Sequence, residues 1–342
     1  MFMIVELTDK TTLIFLLSFL AFCLAIALTP IYTYFAYKNK WWKQRRTQST
    51  TGEALTVINR LSTRKRDVPT MAGLIFVLTT AIVTAIFNLD RGQTWLPLAA
   101  LLGGGAVGLI DDIINVRGKG GGVAGLRATL KFAMITVVAF LSALFFYYKL
   151  GYTTVHLPYV GDVVFGWLII PLFTLVIVST GNAVNISDGL DGLAGGLLMS
   201  AFGAFGVIAF LQGNIGISAF CMTIVGSLLA YTWFNIPPAR FFMGDIGSFA
   251  LGTALGVVAM LTDTLILLPL IGLVLVAEAG SSLMQIASKK IFHRRIFIAA
   301  PVHHHLEAIG WPKTKVTMRF WIIGNLCAVL GVILALAGGY IR

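Results

Sequence analysis

Four groups of polar residues interrupt long apolar runs in this chain, and their residue types suit chemistry on phosphates. The stretch Asn182-Ala183-Val184-Asn185-Ile186-Ser187-Asp188-Gly189-Leu190-Asp191-Gly192-Leu193-Ala194 sets Asn182, Asn185, Asp188 and Asp191 between two apolar segments. Asp111-Asp112 closes another apolar run, Asp245 sits in Phe242-Met243-Gly244-Asp245-Ile246-Gly247-Ser248, and His303-His304-His305 precedes Glu307. Charged groups beside hydrocarbon are costly, so such clusters read first as functional sites. Asp-Gly steps also demand sharp turns that bring carboxylates and backbone N–H groups together. Clustered Asp and Asn suit a hard cation such as Mg2+, which takes oxygen ligands and keeps waters for substrate phosphates. Zn2+ calls for Cys or several His in a tetrahedral array, and three adjacent His diverge too much to serve one ion. The His triplet therefore reads as phosphate or hydroxyl recognition, or proton transfer. Carboxylates with Mg2+, imidazoles and basic groups at a membrane surface point to phosphoryl transfer to a lipid.

Each group also has a plain structural reading. Asp111-Asp112 can mark a helix end or cap the glycine-rich segment 118–125. Asp188, Asp191 and Asp245 can be helix N-caps, where Asp is favoured. One cap needs one Asp, however, and leaves Asn182 and Asn185 unexplained. A triple His can be solvated, and the run Arg64-Lys65-Arg66 can simply set topology. Glu278 falls in the middle of an apolar run, where it is expected to face other helices and hydrogen-bond there.

The elements that must position these groups are membrane helices. The chain is 58% hydrophobic and only 11% charged over 342 residues, against roughly 25% charged in soluble domains. Apolar segments near 12–36, 70–88, 94–111, 129–150, 164–181, 191–212, 215–235, 246–262, 264–289 and 318–340 predict an all-α polytopic protein of about ten transmembrane helices. The eighth is short, and Pro269 is placed to kink the ninth. Tyr152–Val164 breaks the helical pattern, and the alternation in Thr153–Leu157 predicts one arm of a small hairpin on the outer side. The first apolar run is too long for a cleavable signal, and no internal repeat of the kind that builds transporters is evident. Cys23, Cys221 and Cys327 lie in separate apolar segments and read as packing residues.

Of the 25 Lys and Arg residues, 21 fall in the segments Lys38–Arg66, Arg117–Lys131, Arg240 and Lys289–Arg319. The positive-inside rule makes those loops cytoplasmic and puts both termini outside. All four polar clusters then face one aqueous boundary. The net charge of +11 follows mostly from this topology and suits anionic lipids or an anionic substrate. Nucleic acid is not called for. The chain reads as one transmembrane catalytic domain, residues 1–342.

Leu109–Asp112, Asn182–Ala194, Trp233–Ser248 and Arg295–Trp311 resemble the motifs of the polyprenyl-phosphate N-acetylhexosamine-1-phosphate transferase superfamily. Within it, Ala300-Pro301-Val302-His303-His304-His305-Leu306-Glu307 with Gly310-Trp311-Pro312 resembles the phospho-N-acetylmuramoyl-pentapeptide transferase family. The resemblance implies transfer of phospho-MurNAc-pentapeptide from UDP-MurNAc-pentapeptide to undecaprenyl phosphate, giving lipid I and UMP in peptidoglycan synthesis. It also implies Mg2+, a homodimer, and an active site on the cytoplasmic face of the bacterial inner membrane. By motif position, Asp245 corresponds to the principal Mg2+ ligand, with Asp188 as the second metal carboxylate. Asp111 corresponds to the base or phosphate-orienting carboxylate, with Asp112 beside it. Asn182, Asn185, Asp188 and Asp191 would line the uridine and metal region, while Gly189, Leu190 and Phe242 shape the nucleobase slot. His303, His304 and His305 would serve the diphosphate or sugar, and Asn235 and Gln285 match further site positions. The chain departs from the family at Asp67-Val68-Pro69-Thr70-Met71-Ala72-Gly73, where Gly-Thr-Pro-Thr-Met-Gly-Gly is usual, and at Asn115, where a Lys is frequent. The lipid-phosphate cation is therefore open among Lys65, Arg66, Lys119 and Lys131.

Two other classes compete. A sister transferase using UDP-GlcNAc would share Asp111, Asp191 and Asp245, and the His303–Glu307 segment argues against it. A cation-coupled transporter would place polar residues at mid-membrane depth on several spans, where Glu278 is nearly alone.

Overall fold

A helix needs about 20 residues to cross hydrocarbon about 30 Å thick, and the computed structural model supplies helices of that kind for most of the expected segments. It describes residues 2–42, 68–118 and 125–341. The helices are α1 (Phe2–Lys38), α2 (Gly73–Phe87), α3 (Trp95–Val116), α4 (Ala128–Tyr148), α5 (Ile169–Ser187), α6 (Leu193–Leu211), α7 (Ile215–Asn235), α8 (Gly244–Leu261), α9 (Leu268–Ile271), α10 (Leu273–Phe292), α11 (Val302–Ala308) and α12 (Lys313–Ala337). Among the described residues eight helices are long and apolar enough to span, and α9 with α10 forms a ninth candidate. The polytopic all-α expectation holds.

Two segments differ in detail from the expected spans. The ninth bends by 82° between Leu265–Ile271 and Leu273–Phe292. The break falls at Gly272, whereas Pro269 sits in the first turn of α9, where its missing N–H costs nothing. The second span shortens to the 15 residues of α2, about 22 Å at 1.5 Å per residue. Thr70–Ala72 is withdrawn from it because the segment from Pro69 to Gly73 pairs with the approach to α8. Phe242 N donates to Pro69 O (2.8 Å), Ala72 N to Phe242 O (3.0 Å) and Gly73 N to Met243 O (2.8 Å).

Helix α8 is the axis of the bundle. All of its residues are buried, as expected for a helix apolar all round. Against it α3 presents Gly104, Gly105 and Gly108. A Cβ at Gly108 would strike the Asp245 carbonyl, so glycine there lets the two backbones touch and sets the end of α3 beside the start of α8. Helix α1 and helix α12 keep large apolar side chains outward, among them Phe15, Phe19, Leu326 and Leu330, which suits lipid contact. At the far end of α8 from Asp245, β1 (Thr154–Leu157) and β2 (Gly161–Val164) pair antiparallel, with His156 opposite Asp162. The expected hairpin is present.

Candidate active site

Lys131 ties the site together. Its Nζ lies 2.7 Å from Asp111 Oδ2 and 2.5 Å from Asp245 Oδ2, with the lysine side chain only 12% exposed. The three residues come from the end of α3, the first turn of α4 and the first turn of α8. Asp111 Oδ1 also accepts the Leu126 N–H at 2.6 Å, and Phe249 lies under the ammonium at 5.6 Å. Two carboxylates in so dry a place need a cation between them, and the lysine supplies it. Of the four basic candidates for the lipid phosphate, Lys65, Arg66 and Lys119 fall outside the described residues, and Lys131 is the one seen among the carboxylates.

Asp112 points the other way. Its Oδ2 accepts the Ile246 N–H at 3.0 Å, satisfying an N–H of the first turn of α8 that has no partner inside its own helix. Asp245 is not the N-cap of α8: that position is Met243, whose own side chain makes no cap bond. Helix α8 is thus capped by a neighbouring helix, which leaves the Asp245 carboxylate for Lys131.

The Asn182–Asp191 stretch closes α5 and turns into α6. Asn185 Nδ2 donates to Ser248 Oγ at 2.9 Å. Asp188 lies three residues beyond Asn185, and Asp245 lies three before Ser248. About one helical turn therefore carries each carboxylate from this bond toward the same end of the bundle. Asn182 Nδ2 bonds Val178 O of its own helix at 2.8 Å. Asp191 Oδ2 accepts the Ala239 N–H at 3.0 Å, and Gly192, not Asp191, is the N-cap of α6. Asn235 fastens this turn, accepting from Gly192 N at 2.9 Å and donating to Phe241 O at 2.8 Å. Leu190 is buried and Phe242 half-buried beside them.

The His triplet forms a short helix, α11, and the expected divergence fails for two of its rings: His303 and His304 pack with centroids 4.2 Å apart, although each Nδ1 goes to its own carboxylate. His303 is fully buried, with Nδ1 2.7 Å from Glu278 Oε2 on α10. A carboxylate only accepts, so Nδ1 carries the proton and, in the neutral ring, Nε2 bears the lone pair. Among the described residues that Nε2 has no hydrogen-bond partner, and it lies against Gly189, where a Cβ would collide with the ring. His304 Nδ1 meets Glu307 Oε2 at 2.7 Å, and Lys313 Nζ lies 3.5 Å from the other oxygen. Burial pulls the His304 imidazole below its ordinary value, with the Glu307 bond opposing it. Burial pushes the Glu307 carboxyl up, but the His304 bond and Lys313 outweigh it and hold it low. His305 packs on Phe297 and accepts the Ile298 N–H at 3.3 Å. Gln285 is spent on the same segment, accepting from Ile296 N and Phe297 N at 3.0 Å and donating to Phe297 O at 2.9 Å.

The structure thus brings Asp111, Asp245 and Lys131 together, ties α5 to the start of α8 through the Asn185–Ser248 bond, and sets His303 on Gly189. Asp112, Asn235, Gln285 and His305 hold backbone. Sequence reasoning left Ser248 unassigned and gave Glu278 no role at the site, although an isolated charge in an apolar run was a signal. The ligand atoms gathered around Lys131 are carboxylate oxygens, which fit a hard divalent cation better than Zn2+.

A membrane helix bundle with this carboxylate cluster is the setting of a sugar-phosphate transferase, and residues 94–263 match the profile of glycosyl transferase family 4. The chain is 39% identical over 338 residues to the phospho-N-acetylmuramoyl-pentapeptide-transferase of Chloroflexus aggregans, covering 95% of this chain and 90% of that one. It is 36% identical over 318 residues to the enzyme of the same name from Geobacillus thermodenitrificans, covering 91% and 94%. The chain belongs to the phospho-N-acetylmuramoyl-pentapeptide-transferase family. Enzymes of this family generally need a divalent metal.

Proposed function

We propose that this protein transfers phospho-MurNAc-pentapeptide from UDP-MurNAc-pentapeptide to undecaprenyl phosphate, forming lipid I and releasing UMP. The observation that carries this reading is the Asp111–Lys131–Asp245 bridge at the end of the bundle that also holds Asp188 and His303. In the reaction a phosphate oxygen of the lipid bonds to the β-phosphorus of the nucleotide sugar. The bond from that phosphorus to the oxygen bridging it to the α-phosphate breaks, and UMP leaves with the electron pair. The lipid phosphate is already ionised, so positioning matters more than deprotonation.

Lys131 is suited to hold that phosphate, with Asp111 orienting its ammonium. Asp245 and Asp188 would hold Mg2+, which when bound neutralises charge on the diphosphate. Asn185 and Asp191 frame the nucleotide end, with Gly189, Leu190 and Phe242 beside the base. His303 Nε2 accepts a hydrogen bond from a substrate hydroxyl, and the α11 segment distinguishes a MurNAc-peptide nucleotide from plain UDP-GlcNAc. The whole chain acts as one catalytic domain in the bacterial inner membrane, with termini outside and site cytoplasmic, as the distribution of Lys and Arg supports. A homodimer belongs to the same reading and rests on the family resemblance.

The test is release of UMP by purified full-length protein with Mg2+ and a polyprenyl phosphate. UDP-MurNAc-pentapeptide is expected to be turned over and UDP-GlcNAc to be left. Equal turnover of the two would replace this reading with the sister transferase.

A further inference from the structure

The end of the bundle opposite Lys131 carries a second polar cluster that the transfer reaction does not use. His156 on β1 faces Asp162 across the hairpin, with Nδ1 2.7 Å from Asp162 Oδ1. Asp263, in the turn after α8, accepts the His156 backbone N–H at 3.1 Å. One ligand atom from each of His156, Asp162 and Asp263 falls within 4.8 Å of the others. The imidazole is 5% exposed. Its other nitrogen, Nε2, lies 3.0 Å from the Gly338 carbonyl at the end of α12.

The Gly338 contact decides the tautomer. A carbonyl oxygen only accepts, so Nε2 carries a proton, and a neutral ring then turns its Nδ1 lone pair toward the Asp162 carboxylate. That arrangement is repulsive until a cation enters, either a second proton on the ring or a metal ion. A histidine that gives one N–H to a backbone carbonyl and turns the other nitrogen to carboxylates has the usual wiring of a metal ligand. Beside it is a cavity of about 270 Å³ lined by His156 and Asp263 together with Gln212, Asn214, Tyr152 and Tyr340, with room for water ligands. The two phenols offer no competing charge, because burial and Asp263 raise Tyr152 and push Tyr340 up to about 12.

We propose that His156, Asp162 and Asp263 form a binding site for a divalent transition cation of the Zn2+ type, completed by water. One nitrogen with two carboxylate oxygens suits Zn2+ and its neighbours and is a poor match for Mg2+. Metal–ligand bonds of about 2.0–2.2 Å place tetrahedral ligand atoms about 3.3 Å apart. The ion would clamp the hairpin, the turn after α8 and, through Gly338, the end of α12. Any proton on Nδ1 leaves to solvent as the ion binds.

The experiment uses full-length protein in detergent, stripped with EDTA and titrated with ZnCl2 by calorimetry, with metal content checked after gel filtration. D245N is the reference, since it removes the carboxylate site at the other end as a Zn2+ binder. One equivalent per chain is expected in D245N, not displaced by excess Mg2+. In D245N/H156Q and D245N/D162N affinity is expected to fall at least about tenfold. H156Q and D162N alone are expected to leave UMP release unchanged. Asp162 is 39% exposed at the side chain, so D162N decides the matter should H156Q fail to fold. Unchanged Zn2+ affinity in D245N/D162N, or no saturable equivalent in D245N, would overturn the site and leave a histidine–carboxylate ion pair.

Discussion

His303 Nδ1 and Glu278 Oε2 stand 2.7 Å apart with both side chains sealed from solvent, linking α11 to a helix 25 residues earlier. The carboxylate fixes which ring nitrogen carries the proton and turns Nε2 toward Gly189. Glu278 is in this sense a positioning residue, acting on substrate only through His303. Glu278→Gln can donate its amide N–H to the ring and favour the other tautomer. Turnover is then expected to fall about 10–100-fold, as when outer partners of a functional His are removed, with KM for the lipid phosphate little changed. Glu278→Ala would also leave the buried His303 donor without a partner, at about 1–3 kcal/mol. Steady-state UMP release and thermal melting separate the two effects, and full activity in E278Q would remove the positioning role.

Lys131 balances Asp111 and Asp245, so Lys131→Met leaves two buried carboxylates facing one another. Breaking such a pair costs about 3–5 kcal/mol. UMP release is expected to be nearly abolished. The melting temperature of K131M should rise with Mg2+ more steeply than that of wild type, because the ion takes over the role of the ammonium. In K131M/D245N that extra response should vanish. A Mg2+ response that persists in the double variant would place the metal elsewhere.

Asp111 is engaged at both oxygens, by the Leu126 N–H and by the Lys131 ammonium. Such a carboxylate is poorly placed to attack phosphorus, and a single displacement by the lipid phosphate is expected. Isotope exchange between labelled UMP and the nucleotide sugar should therefore be absent when polyprenyl phosphate is rigorously removed. Exchange under those conditions would establish a covalent aspartyl intermediate.

His304 and Glu307 predict how α11 responds to acid. Folding holds the His304 imidazole below its ordinary value of 6.5, so below that pH the unfolded segment takes up the proton more readily and stability declines. Glu307, held below 4.5, adds a further loss at lower pH. The protection factors of the amides of Ile309, Gly310 and Trp311, whose N–H groups bond back into α11, should fall as pH drops from about 7.5 to 5.5, after correction for the slower intrinsic exchange in acid. His304→Gln should flatten that change and, by weakening the link to Glu307, lower turnover. A pH response unaltered by H304Q would exclude His304 as its origin.

The membrane helices were legible because hydrocarbon demands long uninterrupted apolar runs, and each expected span among the described residues has a helix or helix pair. The hairpin was legible from the alternation in Thr153–Leu157. The bend at Gly272 was not, because Pro269 is the stronger signal in sequence and yet fits the first turn of α9 without disturbance. The shortening of α2 was hidden as well. Thr70–Ala72 is apolar enough to belong to a span, and only the pairing of this segment with Phe242 and Met243 shows that it does not.

By itself the sequence determined the class of protein, the presence of carboxylates at helix ends and the residue types able to handle a metal and phosphates, because composition and local spacing carry that information. It told Asp111 from Asp112 only through a motif resemblance, and it left Lys131 one of four cations and Glu278 an isolated charge. Tertiary structure divided the aspartates, one toward Lys131 and one onto the first turn of α8. It also brought Glu278 to His303 and His156 to Asp263. Those pairings span 20 to 134 residues, and such distances are closed only when helices such as α3 and α10 pack against their neighbours and fix which side chains share a dry site.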